Sequence, residues 1–543
     1  MKDSARFLTY VACLGLLIVA AHAGAESPPP IADEIRAEAV RPNDDPAGRQ
    51  LPFAANWNCR NWTPQKQLQW IKQGHHLLPW FRHPKTRQHS DKAVESWVEE
   101  NGDVLRKWAE WRMPFTMRDN NWARGLTGEK YRDLPREKNP LTVRPDGSVM
   151  KRPSPFGPLE PWREVGRGLT DSLLLRRIAE VYPDPPLIMF LSNNETRKLR
   201  WHEMENSARF LEEYGKETSD VFKRRKVAQG WKKRFSALLD SMREGLPSEI
   251  WRQKSFFVGY NAFGPCHYAR WGGWKAYSLC TPERIAPQPL YWDGGSPSFY
   301  DNDWEPQKAD YRVWSPQVAA MNWVFMLDEA HRLNPDFWFE MSVWDGDQRW
   351  PGDVGPKDSK PLQYMKKGQE WTPERYMGRV QYGMWLVRPR VVREFRGHVQ
   401  PLDKYRPRWE AIMKSVDNVW EHKTLRRFWR KGRLVPNTDS EHPWQANTLE
   451  HYKDEHRWFR LDTGLDPEEP WDNTTNLHVF ALARVLGEKP EREWLLYAHS
   501  PLGEKKDVEV EIPDYGKVTI DIEVEGSFYR VNEKEGSVKE VAL

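Results

Sequence analysis

Pro186-Leu187-Ile188-Met189-Phe190-Leu191, followed at once by Ser192-Asn193-Asn194-Glu195, is the stretch that orders the rest of the chain. Its apolar residues show no polar alternation. A strand with one wet face alternates, whereas a strand covered on both faces reads as a continuous apolar run. The run stops at small polar residues and a glutamate. In parallel sheets flanked by helices, strand ends of this kind carry the chemistry.

Similar runs lie on both sides of it. Leu51 to Trp57, His76 to Phe81 and Pro114 to Met117 precede it, so it is the fourth. Ser255 to Tyr260, Pro289 to Trp292, Phe337 to Phe339 and Gln381 to Val387 follow. Helical spacing fills the gaps: Thr63-Pro64 through Ile71, Asp91 to Trp111, Asp171 to Tyr182, Trp201 to Met242, Ser315-Pro316 to Leu333, a helix from Pro373, and Arg406 to Lys431. Residues 124–160, rich in Pro, Gly, Arg and Lys, read as a long loop, a frequent carrier of function. Strand–helix alternation builds parallel sheets. Eight strand candidates predict an α/β fold of the closed (β/α)8 TIM-barrel type over residues 51–435.

The tail changes period. Glu493 to His499, Asp507 to Ile512, Lys517 to Val524 and Ser527 to Val531 alternate apolar with polar residues, with Asp514-Tyr515-Gly516 offering a turn. Residues 436–543 therefore predict a connection and a small C-terminal antiparallel β-sandwich domain. The loop-rich part, 440–475, could reach the active-site rim.

Residues 1–25 read as a secretory signal. Lys2 and Arg6 precede an apolar run from Phe7 to Ala21, and small residues offer cleavage after Ala23 or Ala25. The run is short for a membrane span. Cys13 lies within it, but Tyr10 stands where a lipoprotein signal needs Leu or a similar residue. A secreted or periplasmic chain is expected, with no stable membrane insertion. Residues 26–50, rich in Pro, Asp, Glu and Arg, predict a flexible leader. In an oxidising compartment Cys266 and Cys280 could staple one loop, leaving Cys59 as a buried thiol.

The 543 residues carry a net charge of +4, which does not mark a nucleic-acid binder, and 30 Trp, which is unusual. Most tryptophans pack in cores, yet in an exported protein such a number also suggests platforms for sugar rings. No metal-ligand spacing or Gly-rich phosphate loop appears, so no metal or cofactor is expected.

The acids at the expected strand ends are Asp119, Glu195, Asp293 and Glu340. Glycoside hydrolysis needs two carboxyl groups, one to protonate the leaving oxygen and one to attack or to activate water. Glu195 follows the fourth strand and Glu340 the seventh, nearly across the barrel mouth. A lone strand-end Glu is more often a salt-bridge partner; the pair in context favours catalysis. Asp119, with Asn120 beside it, and Asp293 read as substrate or support residues. Asp345 and Asp347 could cap a helix or hold an ion.

Phe190-Leu191-Ser192-Asn193-Asn194-Glu195 and Trp338-Phe339-Glu340-Met341-Ser342 together resemble the retaining clan A of glycoside hydrolases. The resemblance covers roughly residues 50–400. It implies an acid/base Glu195 and a nucleophile Glu340 that forms a glycosyl-enzyme. It also implies that Asn194 binds the sugar 2-hydroxyl and that Tyr291 holds the nucleophile. A core role for Tyr291 is an equal alternative.

Trp57, Trp62, Trp80, Trp122, Trp292, Trp344 and Trp385 fall near strand ends and suit sugar stacking. Arg82, Arg118 and Arg124 follow early strands, and Arg388, Arg390, Arg393 and Arg396 follow the expected eighth. Guanidinium forks suit sulfate or carboxylate; helix salt bridges on a solvated face are the plainer reading. The expected partner is a polysaccharide or oligosaccharide, with a sulfated galactan of the carrageenan or agar type as the candidate. A non-catalytic carbohydrate-binding barrel is the alternative.

Overall fold

The computed structural model describes residues 27–57, 63–82, 90–119, 122–192, 207–216, 218–260, 288–300, 316–344, 372–395, 402–437, 459–465, 479–501 and 503–543. The signal segment, Cys59, Cys266, Cys280, Asp345, Asp347 and 440–475 apart from 459–465 lie outside them.

The chain runs α1 (Pro30–Ala39), β1 (Phe53–Asn56), α2 (Pro64–Lys72), β2 (Trp80–Arg82), α3 (Asp91–Glu110), β3 (Phe115–Asp119), the hairpin β4 (Leu141–Val143) and β5 (Val149–Pro153), α4 (Glu160–Thr170), α5 (Leu173–Val181) and β6 (Ile188–Ser192). There follow α6 (Ala208–Tyr214), α7 (Asp220–Glu244), α8 (Glu249–Lys254), β7 (Ser255–Gly259), β8 (Gly294–Gly295), β9 (Ser298–Tyr300), α9 (Pro316–Leu333), β10 (Trp338–Trp344), α10 (Pro373–Val387), β11 (Val391–Glu394), α11 (Arg406–Glu421) and α12 (Lys423–Lys431).

Strand neighbours in the main sheet follow the order β1-β11-β10-β8-β7-β6-β3-β2, all parallel, with β9 also on β10. The ring closes between the first two strands, where Ala54 N donates to His76 O at 2.9 Å and Leu78 N to Ala54 O at 3.0 Å. The barrel is thus a (β/α)8 barrel, with β6 as its fourth strand, β8 and β9 as its sixth, β10 as its seventh and β11 as its eighth.

Four expectations change here. The eighth strand is Val391–Glu394, and 381–387 is the end of α10. Thr372 caps that helix by accepting from Arg375 N, and Arg388 ends it in the left-handed region at φ 46°. Every residue from Tyr376 to Val387 is buried. A helix covered all round loses its amphipathic period and reads as an apolar run. The sixth strand begins at Gly294, because Gln288–Leu290 forms a 3-10 turn before it. The expected helix 201–242 is described as two, α6 and α7, with Gly215 at φ 78° between them. The supposed loop of 124–160 contains the β4–β5 hairpin.

Nor is 26–50 a flexible leader throughout. α1 buries Ala32, Ile35 and Ala39. Its Glu38 accepts from Leu51 N at 2.5 Å and from Arg430 at 3.0 Å. Asn43 Nδ2 reaches Pro335 O at 2.6 Å, and Arg36 reaches Trp111 O at 3.4 Å. Pro335 and Trp111 precede strands, so this segment closes the barrel's N-terminal floor.

The tail continues with β12 (Arg433–Leu434), β13 (Phe480–Leu486), β14 (Glu493–His499), β15 (Lys505–Ile512), β16 (Gly516–Ile522), β17 (Ser527–Asn532) and β18 (Ser537–Glu540). A five-stranded antiparallel sheet, β12-β13-β14-β17-β18, faces the β15–β16 ribbon. Ala481, Ala483, Leu496 and Ala498 pack against Val510, Ile512, Val518 and Ile520 of the ribbon. The opposite face meets the barrel's helices through Tyr382–Phe480 and Trp385–Phe528 ring contacts, at 5.5 Å each. Two buried faces explain why β13 carries no alternation readable as a half-wet strand. No helix among the described residues is long and apolar enough to cross a membrane.

Candidate active site in the barrel

Successive residues of a strand point to opposite faces. Thr116 Oγ1 lies 3.9 Å from Met189 Sδ, and Arg393 Nη2 lies 3.7 Å from the same sulfur. Side chains from the third, fourth and eighth strands therefore meet inside the ring, and Glu340 joins them from the seventh. Arg393 Nε donates to Glu340 Oε2 at 2.6 Å and Nη2 to Oε1 at 2.7 Å. Trp338 Nε1 adds a bond to Oε1 at 3.1 Å. Arg393 Nη1 also donates to Asn56 O at 3.2 Å. Both charged side chains are 0 % exposed. A buried charge pair is tolerated where geometry is good and the remaining donors are used, as here.

Glu340 is not at its strand's end. β10 extends past it to Trp344, because Met341 and Val343 pack outward while Ser342 and Trp344 continue the inward side. One step above Glu340, Ser342 Oγ accepts from Trp57 Nε1 at 2.6 Å. The Trp57 ring meets Tyr260 edge-on at 5.4 Å, and Tyr260 OH donates to Ser298 Oγ at 2.9 Å. An indole, a phenol and two hydroxyls thus form a layer between the ion pair and the strands' C-terminal ends. That layer can present C–H-stacking faces and hydroxyl partners to a sugar.

The other expected site residues are dispersed. Glu195, Asn194 and Asn120 lie outside the described residues, as do the side chains of Arg82 and Asp119 at the ends of β2 and β3. Trp344 ends the seventh strand, buried, with its ring 5.6 Å from Phe395. Tyr291 is not on the sixth strand. It precedes it and stacks on Phe235 of α7 at 5.4 Å, outside the ring, where burial pushes its phenol well above the ordinary value. Asp293 also precedes the strand, so it belongs to the floor and not the mouth. Its Oδ2 accepts from Arg243 Nη2 and from Phe257 N, at 2.8 Å each. Burial raises its pKa, and Arg243 opposes the rise. Trp292 is buried and stacks on Trp122 at 5.4 Å. Trp385 lies in α10, edge-on to Trp429 at 5.2 Å, outside the barrel altogether.

Of the arginines expected beyond the eighth strand, Arg396 lies outside the described residues and the other three are displaced. Arg388 and Arg390 precede that strand. Arg388 donates to Trp429 O at 2.7 Å, and Arg390 sits 4.2 Å from the Trp338 ring centroid. Burial lowers the pKa of each guanidinium to about 9. Arg393 is inside the barrel. Sequence reasoning missed it as the partner of Glu340, and it missed Tyr260, Ser298 and Ser342. The signal for Arg393 was Val391-Val392, a β-branched pair directly before it. No group of three or more metal-ligating side chains occurs among the described residues.

Closed parallel pairing defines the protein as a (β/α)8 barrel with an appended antiparallel β domain. No family model and no curated protein matches the chain. Among solved structures it is similar to a β-galactosidase from the psychrophilic Marinomonas ef1, at 11% identity and a TM-score of 0.38 over 68% of this chain and 60% of that one. It is also similar to AmyP, solved in complex with maltose, at 10% identity and a TM-score of 0.31 over 92% of this chain and 88% of that one. Superpositions this loose carry no argument, and the barrel assignment rests on the strand pairing.

Proposed function

We propose that the chain is an exported glycoside hydrolase acting on a polysaccharide or oligosaccharide, with Glu195 as acid/base and Glu340 as nucleophile in a double displacement. One observation carries this reading. An inward-facing glutamate on the seventh strand, gripped by Arg393 at both oxygens, is combined with an Asn-Glu pair directly following the fourth strand. The Arg393 fork fixes the orientation of the carboxylate that the double displacement requires at a sugar carbon. A sugar reaching Glu340 has to part the Trp57–Ser342 bond, so substrate binding and opening of this layer are coupled in the account.

The burial of Glu340 beneath Ser342 and Trp57 favours a second reading, a carbohydrate-binding barrel in which the ion pair is a strut. A panel of labelled neutral and sulfated polysaccharides, read by product length and anomeric configuration, separates the two. Hydrolysis with retained configuration supports the first; binding without any product supports the second. The arginines of the eighth strand no longer argue for a sulfated substrate, since none of the described ones faces the mouth. Export is tested by sequencing the N-terminus of the mature protein, with cleavage after Ala23 or Ala25 expected.

A further inference from the structure

α7 carries Lys223-Arg224-Arg225-Lys226 and Lys232-Lys233-Arg234, with no acid from 223 to 234. Against a net charge of +4 for the whole chain, this is a concentrated patch. An ordinary solvated helix face pairs its charges three or four residues apart. Those positions around Lys226, Lys232 and Lys233 hold Phe222, Lys223, Ala228, Gln229, Gly230 and apolar or hydroxyl residues beyond, with no carboxylate.

The patch lines a groove. α4 and α7 pack closely where Gly166 meets the Leu238 carbonyl, and Gly230 of α7 lets the Pro155 carbonyl, in the segment before α4, come equally near. Beside this seam a groove of about 710 Å³ opens, lined by Arg163, Lys226, Lys232, Lys233, Arg234 and the ring of Tyr214, among others. That volume is typical of ligand sites. Two of its cations are held in place. The Lys226 ammonium lies 5.2 Å from the Tyr214 ring centroid and 5.3 Å from that of Phe222. Arg234 Nε donates to Gly157 O at 3.0 Å. Preset cations lose less side-chain freedom when an anion arrives. Asp240 and Glu244 lie at the groove's other end, and Glu213 stands beside Tyr214, so the groove's α7 cations, Lys226 to Arg234, lie nearer the helix N-terminus, toward the barrel mouth, with one carboxylate among them.

We propose that this groove is an accessory binding site for an anionic polysaccharide, bearing sulfate or carboxylate groups, separate from the barrel interior. The choice of a sugar polymer over other polyanions rests on the glycosidase reading. The test uses the full chain in affinity electrophoresis with a carrageenan-type sulfated galactan, its desulfated form, polygalacturonate, duplex DNA and phosphatidylglycerol vesicles. A triple variant, Lys226→Ala, Lys232→Glu and Lys233→Glu, is compared at matched melting temperature. Retardation by one or both anionic polymers, little by the desulfated one, and at least a tenfold loss in the variant are expected. The sulfated and polygalacturonate arms tell which anion is preferred. Equal retardation of variant and wild type overturns the site, and so does tighter binding of DNA or vesicles than of either anionic polymer. Hydrolysis of a short neutral oligosaccharide is scored separately. Binding lost in the variant of a chain that hydrolyses nothing sinks the glycosidase reading and leaves the groove; hydrolysis with unchanged polymer binding does the reverse.

Discussion

Arg393 on the eighth strand holds both oxygens of Glu340 on the seventh, at 2.6 and 2.7 Å, with neither side chain exposed to solvent. The two strands pair directly, with Ser342 opposite Arg393. The fork therefore reaches one inward position down its neighbour, and the ion pair ties the wall of the barrel across that seam.

Removing one partner strands the other charge in the interior. Arg393→Met should lower stability by about 3–5 kcal/mol. Adding Glu340→Leu to it should recover most of that loss, since the uncompensated carboxylate is gone. Denaturant unfolding of the two single variants and the double variant gives the coupling directly; additive losses would show that the pair does not act as a unit.

Arg484 on β13 plays a comparable part between the barrel and the C-terminal domain. Its guanidinium donates to Trp385 O at 2.7 Å, Leu386 O at 2.9 Å and Gly432 O at 2.9 Å. Two of these are carbonyls at the end of α10 that have no helical partner. Arg484→Met should cost about 3 kcal/mol and should loosen the tail, read as faster proteolytic release of residues beyond the barrel. A melting temperature within a degree or so of wild type would contradict this role.

Asp417 on α11 fixes the approach to the second strand. It accepts from the rings of His75 and His76 at 2.8 Å each and from His76 N at 3.0 Å. Burial works to raise its pKa, but these hydrogen bonds outweigh it and hold the carboxyl below its ordinary value. The unfolded chain then takes up the proton first. The stabilisation is complete above the unfolded value of about 4 and is lost as pH falls through the folded value. Asp417→Asn should cost about 1–3 kcal/mol near neutrality and flatten the acid limb of the stability curve. An unchanged acid limb would rule out this carboxylate as a contributor.

The two proposed catalytic roles differ in how small anions rescue them. With azide, Glu195→Ala should give a glycosyl azide of retained configuration, because the nucleophile still acts first. Glu340→Ala should give the inverted azide, because azide replaces the nucleophile. The opposite pairing would exchange the roles.

Much of the fold was legible, for physical reasons that also explain the misses. Parallel strands buried on both faces leave continuous apolar runs, so Ile188–Ser192 and Ser255–Gly259 stood out. The same logic failed at α10, which is buried on every side and so resembles a strand. It failed again at Gly294–Gly295, where two glycines carry no strand signal. The site was legible only in part. The place of Glu340 on the seventh strand was readable from the sequence, but its depth depended on where β10 ends, and Ser342-Val343-Trp344 gave no turn signal. Tyr291 and Asp293 were placed at the mouth because strand six was drawn a few residues early, and Trp385 because the end of α10 was taken for strand eight; each instead packs at the floor or outside the ring.

The most direct test of the account is the rate of glycosidic-bond cleavage by wild type and by Glu340→Gln at equal folded fraction, on whichever substrate the polysaccharide panel identifies. Wild type should turn the substrate over measurably and the variant should lose on the order of a thousandfold or more, as expected when the group that forms the covalent bond is removed. A folded Glu340→Gln protein that keeps wild-type turnover while melting lower would contradict this role and leave Glu340 as a strut of the barrel.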